Sequence, residues 1–265
     1  MNNSINLQIL TQTSFDSGSL KGLGAVVHRF DQPGEHRITV FQAEKAIQTF
    51  ALKVMDIPGK RTTGPQVASG PTPLSPPTSS AVHVDLGRTL GSPGSSAPQS
   101  AEDTVVAAQG YALFHAPQAA AGFAVQIHAS VTTNQPPVFD SRQLHSADIF
   151  SVTLFRPGRY SLGSTGTAAK GEIRVSYPVT SDTPYRPPDP VEVQVSQQGF
   201  LPSSIQLKPG QGLIFHIGNV TARILIDLVD PDDGPSGAGP APGEARKPLY
   251  RWEKPEPPES KPKSK

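Results

Sequence analysis

The chain has no cysteine. That absence removes disulfides, thiolate nucleophiles, cysteine-ligated zinc and iron–sulfur clusters together. Charge of one sign is also lacking: 23 Lys+Arg stand against 22 Asp+Glu, a net charge of +1. Binding to a phosphate backbone needs a basic stripe, so nucleic acid is not an expected partner. No stretch approaches the roughly 20 apolar residues of a membrane span, and Met1 to Leu10 has neither a basic nor an apolar leader region. The expectation is a chain with no transmembrane segment and no signal peptide. Helix-compatible sequence is scarce as well, because 24 Gly and 29 Pro make up a fifth of the 265 residues. Both types are excluded from helix interiors, which argues against a helical bundle or a doubly wound α/β enzyme.

What is present is a two-residue apolar period. Val191, Val193, Val195 and Ile224, Ile226, Leu228 alternate as the half-buried face of a strand does. Turn signals such as Gln32-Pro33-Gly34 and Lys208-Pro209-Gly210 separate such stretches, a pattern that predicts an all-β protein of antiparallel sandwiches. Two regions rich in Pro, Gly, Ser and Thr hold too few large apolar residues to offset the entropy of ordering. Residues 58–80, with Pro58, Pro65, Pro71, Pro73, Pro76 and Pro77, are predicted to be an extended linker. Residues 230–265 are predicted to be a disordered tail.

Two internal repeats organise the rest. Phe15-Asp16-Ser17 returns 124 positions on as Phe139-Asp140-Ser141, and the same offset carries Val26 to Phe150, Pro33-Gly34 to Pro157-Gly158 and His36 to Tyr160. Leu113-Phe114-His115 returns 101 positions on as Ile214-Phe215-His216, with Phe123, Val125 and Ile127 falling on Ile224, Ile226 and Leu228. The repeats divide the chain into a back half-module at 1–57, the linker, a complete module at 81–178, a front half-module at 190–229 and the tail. A lone half exposes an apolar face and open strand edges. The two halves are therefore expected to pair with each other, within one chain or between chains.

Assembled from its copies, the module resembles the cupredoxin family, the Greek-key sandwich of plastocyanin-like proteins. The resemblance rests on Gly199-Phe200-Leu201-Pro202, Leu207-Lys208-Pro209-Gly210-Gln211, Phe215 and Asn219 for the early strands. Phe15-Asp16-Ser17-Gly18-Ser19-Leu20 and Arg29-Phe30-Asp31-Gln32-Pro33-Gly34-Glu35-His36 carry it for the later ones. It implies tandem cupredoxin-like sandwiches and an extracytoplasmic setting. It also implies where copper ligands belong. The Cys, His and Met positions fall on Ser164, Thr167 and Lys170 in one copy and on Val40, Ala43 and Ala46 in the other, with the remaining His near Arg223 and Gly122. None of these side chains replaces the thiolate of a blue-copper site, so a degenerate, metal-free site with no cofactor is expected.

The seven His show no close metal-ligand spacing, and His28 and His36 read as inward-facing core imidazoles. No Gly-x-Ser-x-Gly elbow is present, so no enzyme activity is expected. The single Trp lies in the tail, where Leu249, Tyr250 and Trp252 form a candidate segment for docking on a sheet edge. The functional expectation is a non-catalytic binding or assembly protein with a protein partner or self-association. A Cys-free copper or electron-transfer protein is the first alternative, and a carbohydrate-binding module or enzyme accessory domain is the second.

Overall fold

The computed structural model describes residues 10–56, 79–87, 104–117, 121–130, 135–177 and 184–232. The tail segment Leu249, Tyr250 and Trp252 and most of the linker and tail lie outside them. Sixteen strands occur among the described residues. They are β1 (Ser14–Asp16), β2 (Gly24–Arg29), β3 (Gly34–Gln42), β4 (Lys45–Met55), β5 (Ser79–Asp85), β6 (Thr104–His115), β7 (Phe123–Ala129) and β8 (Phe139–Asp140), followed by β9 (Ile149–Leu154), β10 (Gly158–Thr165), β11 (Lys170–Val175), β12 (Val191–Ser196), β13 (Gly199–Leu201), β14 (Ser204–Leu207), β15 (Gln211–Ile217) and β16 (Arg223–Pro231). The all-β expectation holds. Strand structure begins two residues inside the predicted linker, at Ser79, and runs two residues into the predicted tail, through Pro231. No helix among the described residues is long and apolar enough to cross a membrane.

One five-stranded sheet has the order β1-β16-β10-β11-β14, and one eleven-stranded sheet runs β13-β12-β15-β9-β2-β6-β4-β3-β7-β8, with β5 on β6. The long sheet folds over at β6. Leu52 to Met55 of β4 pair with Thr104 to Ala107, whereas β2 and β5 pair with Tyr111 to His115. The bend falls at Gln109 (φ 65°) and Gly110, whose missing Cβ would lie 2.7 Å from the Ala107 and Ser80 carbonyl oxygens. The Gln109 N–H donates to the Phe30 carbonyl at 2.7 Å. The C-terminal counterpart is the turn between β14 and β15, where Gly210 (φ 77°) donates to the Leu154 carbonyl, also at 2.7 Å.

Two lobes result. In the N-terminal lobe, β4, β3 and β7 bury Leu52, Val54, Ile38, Val40, Val125 and Ile127 against Val26, Phe30, Phe114 and Val84 of β2, β6 and β5. In the C-terminal lobe, Tyr160, Leu162, Ile173, Ile205, Ile224 and Ile226 pack against Phe150, Val152, Val193, Leu213 and Phe215. Tyr160 is fully buried, and its hydroxyl donates to the Arg156 carbonyl at 2.7 Å. Burial pushes its pKa up to about 12, with the Arg156 charge opposing.

Strand partners divide the chain differently from the order of the copies. The front half of 81–178 (β5–β7) pairs with the N-terminal strands β2–β4, and its back half (β9–β11) pairs with the C-terminal strands β12–β16. Segments consecutive in sequence thus associate, as consecutive elements generally do. Of the described N-terminal strands, β1 alone pairs with the C-terminal segment.

The register of β16 also differs by two residues from the sequence match. Ile38 opposes Ile127 and Val40 opposes Val125, while Leu162 opposes Ile226 and Ser164 opposes Ile224. Val125 and Ile127 therefore correspond in place to Ile224 and Ile226. The connection from β6 to β7 is two residues longer than that from β15 to β16. A slip of two leaves the alternation intact, so the pattern alone does not detect it.

Candidate functional site

The lobes meet through β2 and β9, which pair antiparallel with Val26 opposite Phe150 and Gly24 opposite Val152. Val26 and Phe150 are the two residues matched across the first repeat, so the junction is centred on an approximate twofold axis. Each lobe also lends a short strand to the other. Phe15 of β1 lies opposite Ile226 in the C-terminal lobe, and Phe139 of β8 lies opposite Ile127 in the N-terminal lobe.

The repeated Phe-Asp-Ser has one structural job at both places. The phenylalanine enters the core, with Phe15 and Phe139 at 2% and 0% exposure. The aspartate closes a turn: Asp16 Oδ1 accepts the Gly18 N–H at 2.8 Å, and Asp140 Oδ1 accepts the Arg142 N–H at 2.9 Å. The serine stitches two backbones. Ser17 N donates to the Ile224 carbonyl and its Oγ accepts the Ile224 N–H; Ser141 makes the same pair of bonds with Val125.

Each aspartate then holds a guanidinium in two bonds, but the arginines come from different places. Arg223, at the start of β16, donates Nε and Nη2 to Asp16 at 2.8 and 2.6 Å. Arg142, in the turn itself, donates to Asp140 at 3.0 Å through both Nε and Nη2. It also donates Nη1 to Glu44 at 2.9 Å and lies 4.9 Å over the Phe41 ring. Gly18 is the residue 124 positions before Arg142. A Cβ there would meet Arg223 Nε at 2.6 Å, so the glycine makes room for the incoming guanidinium.

A cleft of about 530 Å³ opens beside these pairs, lined by Asp140, Arg142, Thr165, Gly166, Thr221 and Arg223. Two guanidiniums face three carboxylates, counting Asp16 and Glu44, so the cleft has no excess positive charge to hold an anion. Burial alone raises the Asp140 pKa. The hydrogen bonds from Arg142 and Gln126, with the Arg142 charge, outweigh burial and hold it below its ordinary value of 3.8. A depressed folded-state pKa contributes stability that is present above the unfolded value and lost as pH falls through the folded one. The acid limb of a stability–pH curve below 3.8 should therefore flatten in Asp140→Asn. Denaturant midpoints measured between about pH 6 and about pH 2 test this; a limb as steep as in the parent would remove Asp140 from the explanation.

The six positions that the sequence resemblance assigns to copper ligands do not converge on a donor set. Val40 is fully buried opposite Val125. Ala43 (φ 47°) forms the β3–β4 turn, and Ala46 lies exposed at the base of β4. Ser164 Oγ donates to the Thr165 carbonyl, Thr167 Oγ1 accepts the Ala169 N–H, and Lys170 is exposed. Among the described residues, no three His, Cys, Asp or Glu gather as a metal site would require.

His28 faces inward against the Phe30 and Phe139 rings, and the imidazole finds a side-chain partner rather than a backbone one. Its Nδ1 lies 2.8 Å from Oδ1 of Asp148, a residue at 2% exposure just before β9, so the bond ties the lobes together. The sequence resemblance points to Arg223 only as the neighbourhood of a copper ligand, and it singles out neither Asp148 nor Arg142. The usable signal for Arg142 was its place two residues after the repeated aspartate; Arg223 and Asp148 carry no such signal.

The outer face of the shared sheet is the other feature of the junction. Cross-strand register places Gln194, His216, Ile149, Val27, Leu113 and His83 in one row. The next row is Glu192, Ile214, Ser151, Ala25, His115 and Asp85. The centre of this face is apolar, and its charged groups lie toward the ends. No protein-family profile, curated protein or solved structure matches the chain.

Proposed function

We propose that the protein is a non-catalytic binding or assembly protein, made of two tandem cupredoxin-like Greek-key modules that lack copper ligands. Each module is a back half followed by a front half, an order permuted relative to the family. The observation that carries the reading is the apolar centre of the shared outer face, Val27, Leu113, Ile149 and Ile214, on a sheet spanning both modules. Exposed apolar patches mark interaction sites more often than isolated exposed residues do. The former ligand positions support it from the other side, since hydroxyl, ammonium and alkyl groups supply no soft donor.

Copper titration followed by optical and paramagnetic spectra tests the metal-free part. The expected result is no copper–thiolate absorption band and no stoichiometric tight complex. Sub-micromolar one-to-one binding, lost on replacing His28 or His36 by alanine, would favour an electron-transfer protein with a Cys-free site.

A further inference from the structure

The protein's outer faces are not alike. Strands β3 and β4 turn Arg37, Thr39 and Lys53 outward, and β10 and β11 present Arg159 in ion pairs with Asp230 and Glu172. The shared sheet carries pairs of consecutive apolar residues instead: Val26-Val27, Leu113-Phe114, Ile149-Phe150 and Ile214-Phe215. In each pair one member is in the core, at 0% exposure, and the other lies on the outer face, partly buried. Strands apolar on both faces are characteristic of sheets covered on both faces.

Resting on the assembly reading above, we infer that the cover is a second copy of this chain, stacked sheet on sheet. The face repeats about its own axis: Ala25 and Ile149, Val27 and Ser151, Leu113 and Ile214, and His115 and His216 are related by the two sequence offsets. A surface of this kind suits a self-complementary twofold contact. The charges select the orientation. A copy turned about an axis running across the strands, between the two rows, sets Val27 over Ala25, Gln194 over Glu192 and His83 of one copy over Asp85 of the other. Turning it about an axis along the strands sets Asp85 over Glu192, a like-charge contact at the rim.

The extent is adequate for a reversible dimer. Six strands spaced about 4.8 Å, each offering about five residues at about 3.3 Å, make a face of about 500 Å² in projection. Side-chain relief raises the accessible area toward the roughly 800 Å² per partner of a standard interface.

Sedimentation of the full chain across concentration should show a shift from 28.0 kDa toward twice that mass. Leu113→Glu and Ile214→Glu should each weaken association by at least about tenfold, since each buries a charge. Both should leave the thermal unfolding of the monomer intact, because neither side chain is in the core. The absence of cysteine permits a second readout. Val27→Cys introduces a single thiol inside the contact, and its alkylation should slow as the protein concentration rises through the association range, while that of Thr39→Cys on the polar face stays constant. A parent that stays monomeric, with both thiols alkylated at rates independent of concentration, overturns the inference. So does a monomer in which the thiol of Val27→Cys resists alkylation, which would mean that a segment of the same chain covers the face. Either result leaves the copper titration free to decide the broader reading.

Discussion

Replacing Asp148 by alanine should cost about 2–5 kcal/mol of stability, since each of two buried donors left without its acceptor costs about 1–3 kcal/mol. The carboxylate is at 2% exposure and accepts two bonds at 2.8 Å, from His28 Nδ1 and from the His145 N–H. Alanine leaves a buried imidazole N–H and a backbone N–H without their acceptor. Asp148→Asn keeps one carbonyl oxygen and should lose distinctly less. The loss should also be directional. His28 belongs to β2 and Asp148 leads into β9, so amide exchange should accelerate first along the β2–β9 seam. Equilibrium denaturation with an unchanged m value gives the magnitude, and a loss below about 1 kcal/mol would show that the pair does little for the junction.

The exchanged phenylalanines carry the second large effect. Phe139 is at 0% exposure, stacks on Phe114 with centroids 6.0 Å apart and lies 4.9 Å from the His28 ring. Truncating it to alanine should cost about 3–5 kcal/mol. The cost should fall on the N-terminal lobe, although Phe139 is followed in the chain by the strands of the C-terminal one. Phe15→Ala should do the converse, deprotecting β16 while β2 to β4 keep their protection. Hydrogen exchange resolved by strand distinguishes the lobes. Deprotection of β9 to β11 by Phe139→Ala would mean that the short strands are not exchanged as described.

Much of this architecture is legible in the amino-acid sequence, and the parts that are not share a cause. Alternation reports which residues of a strand point inward, so Val193 and Val195 or Ile224 and Ile226 are readable as core. Repetition reports which segments are alike. Neither reports which segments lie side by side: repetition alone divides the chain into one whole module flanked by two halves, whereas the hydrogen bonds join each outer segment to its neighbour in sequence. The two-residue offset of β16 is invisible for the same reason, because a period of two returns the same face. The ion pairs are harder still: Asp16 and Arg223 are distant in sequence, and nothing local marks Asp148. The apolar outer face was present in the sequence as doubled residues such as Ile149-Phe150, but a doublet does not say what lies beyond the second face.

The Thr13 carbonyl accepts the Leu228 N–H at 2.8 Å, and β1 runs from there antiparallel to β16. The described chain is thus closed on itself like a belt whose buckle is three residue pairs long. The β7–β8 loop makes the corresponding junction covalently. The two ends leave the buckle from the same side, so tension applied to them loads the Thr13–Leu228 bond first, then the Ser14–Asp227, Phe15–Ile226 and Asp16–Leu225 pairs in turn. Antiparallel bonds lie across the strands, and a pull from one end opens them in succession, each resisting alone. Mechanically the belt opens by peeling, and the last grips to give way are the Asp16–Arg223 pair and the Ser17–Ile224 bonds at its inner end.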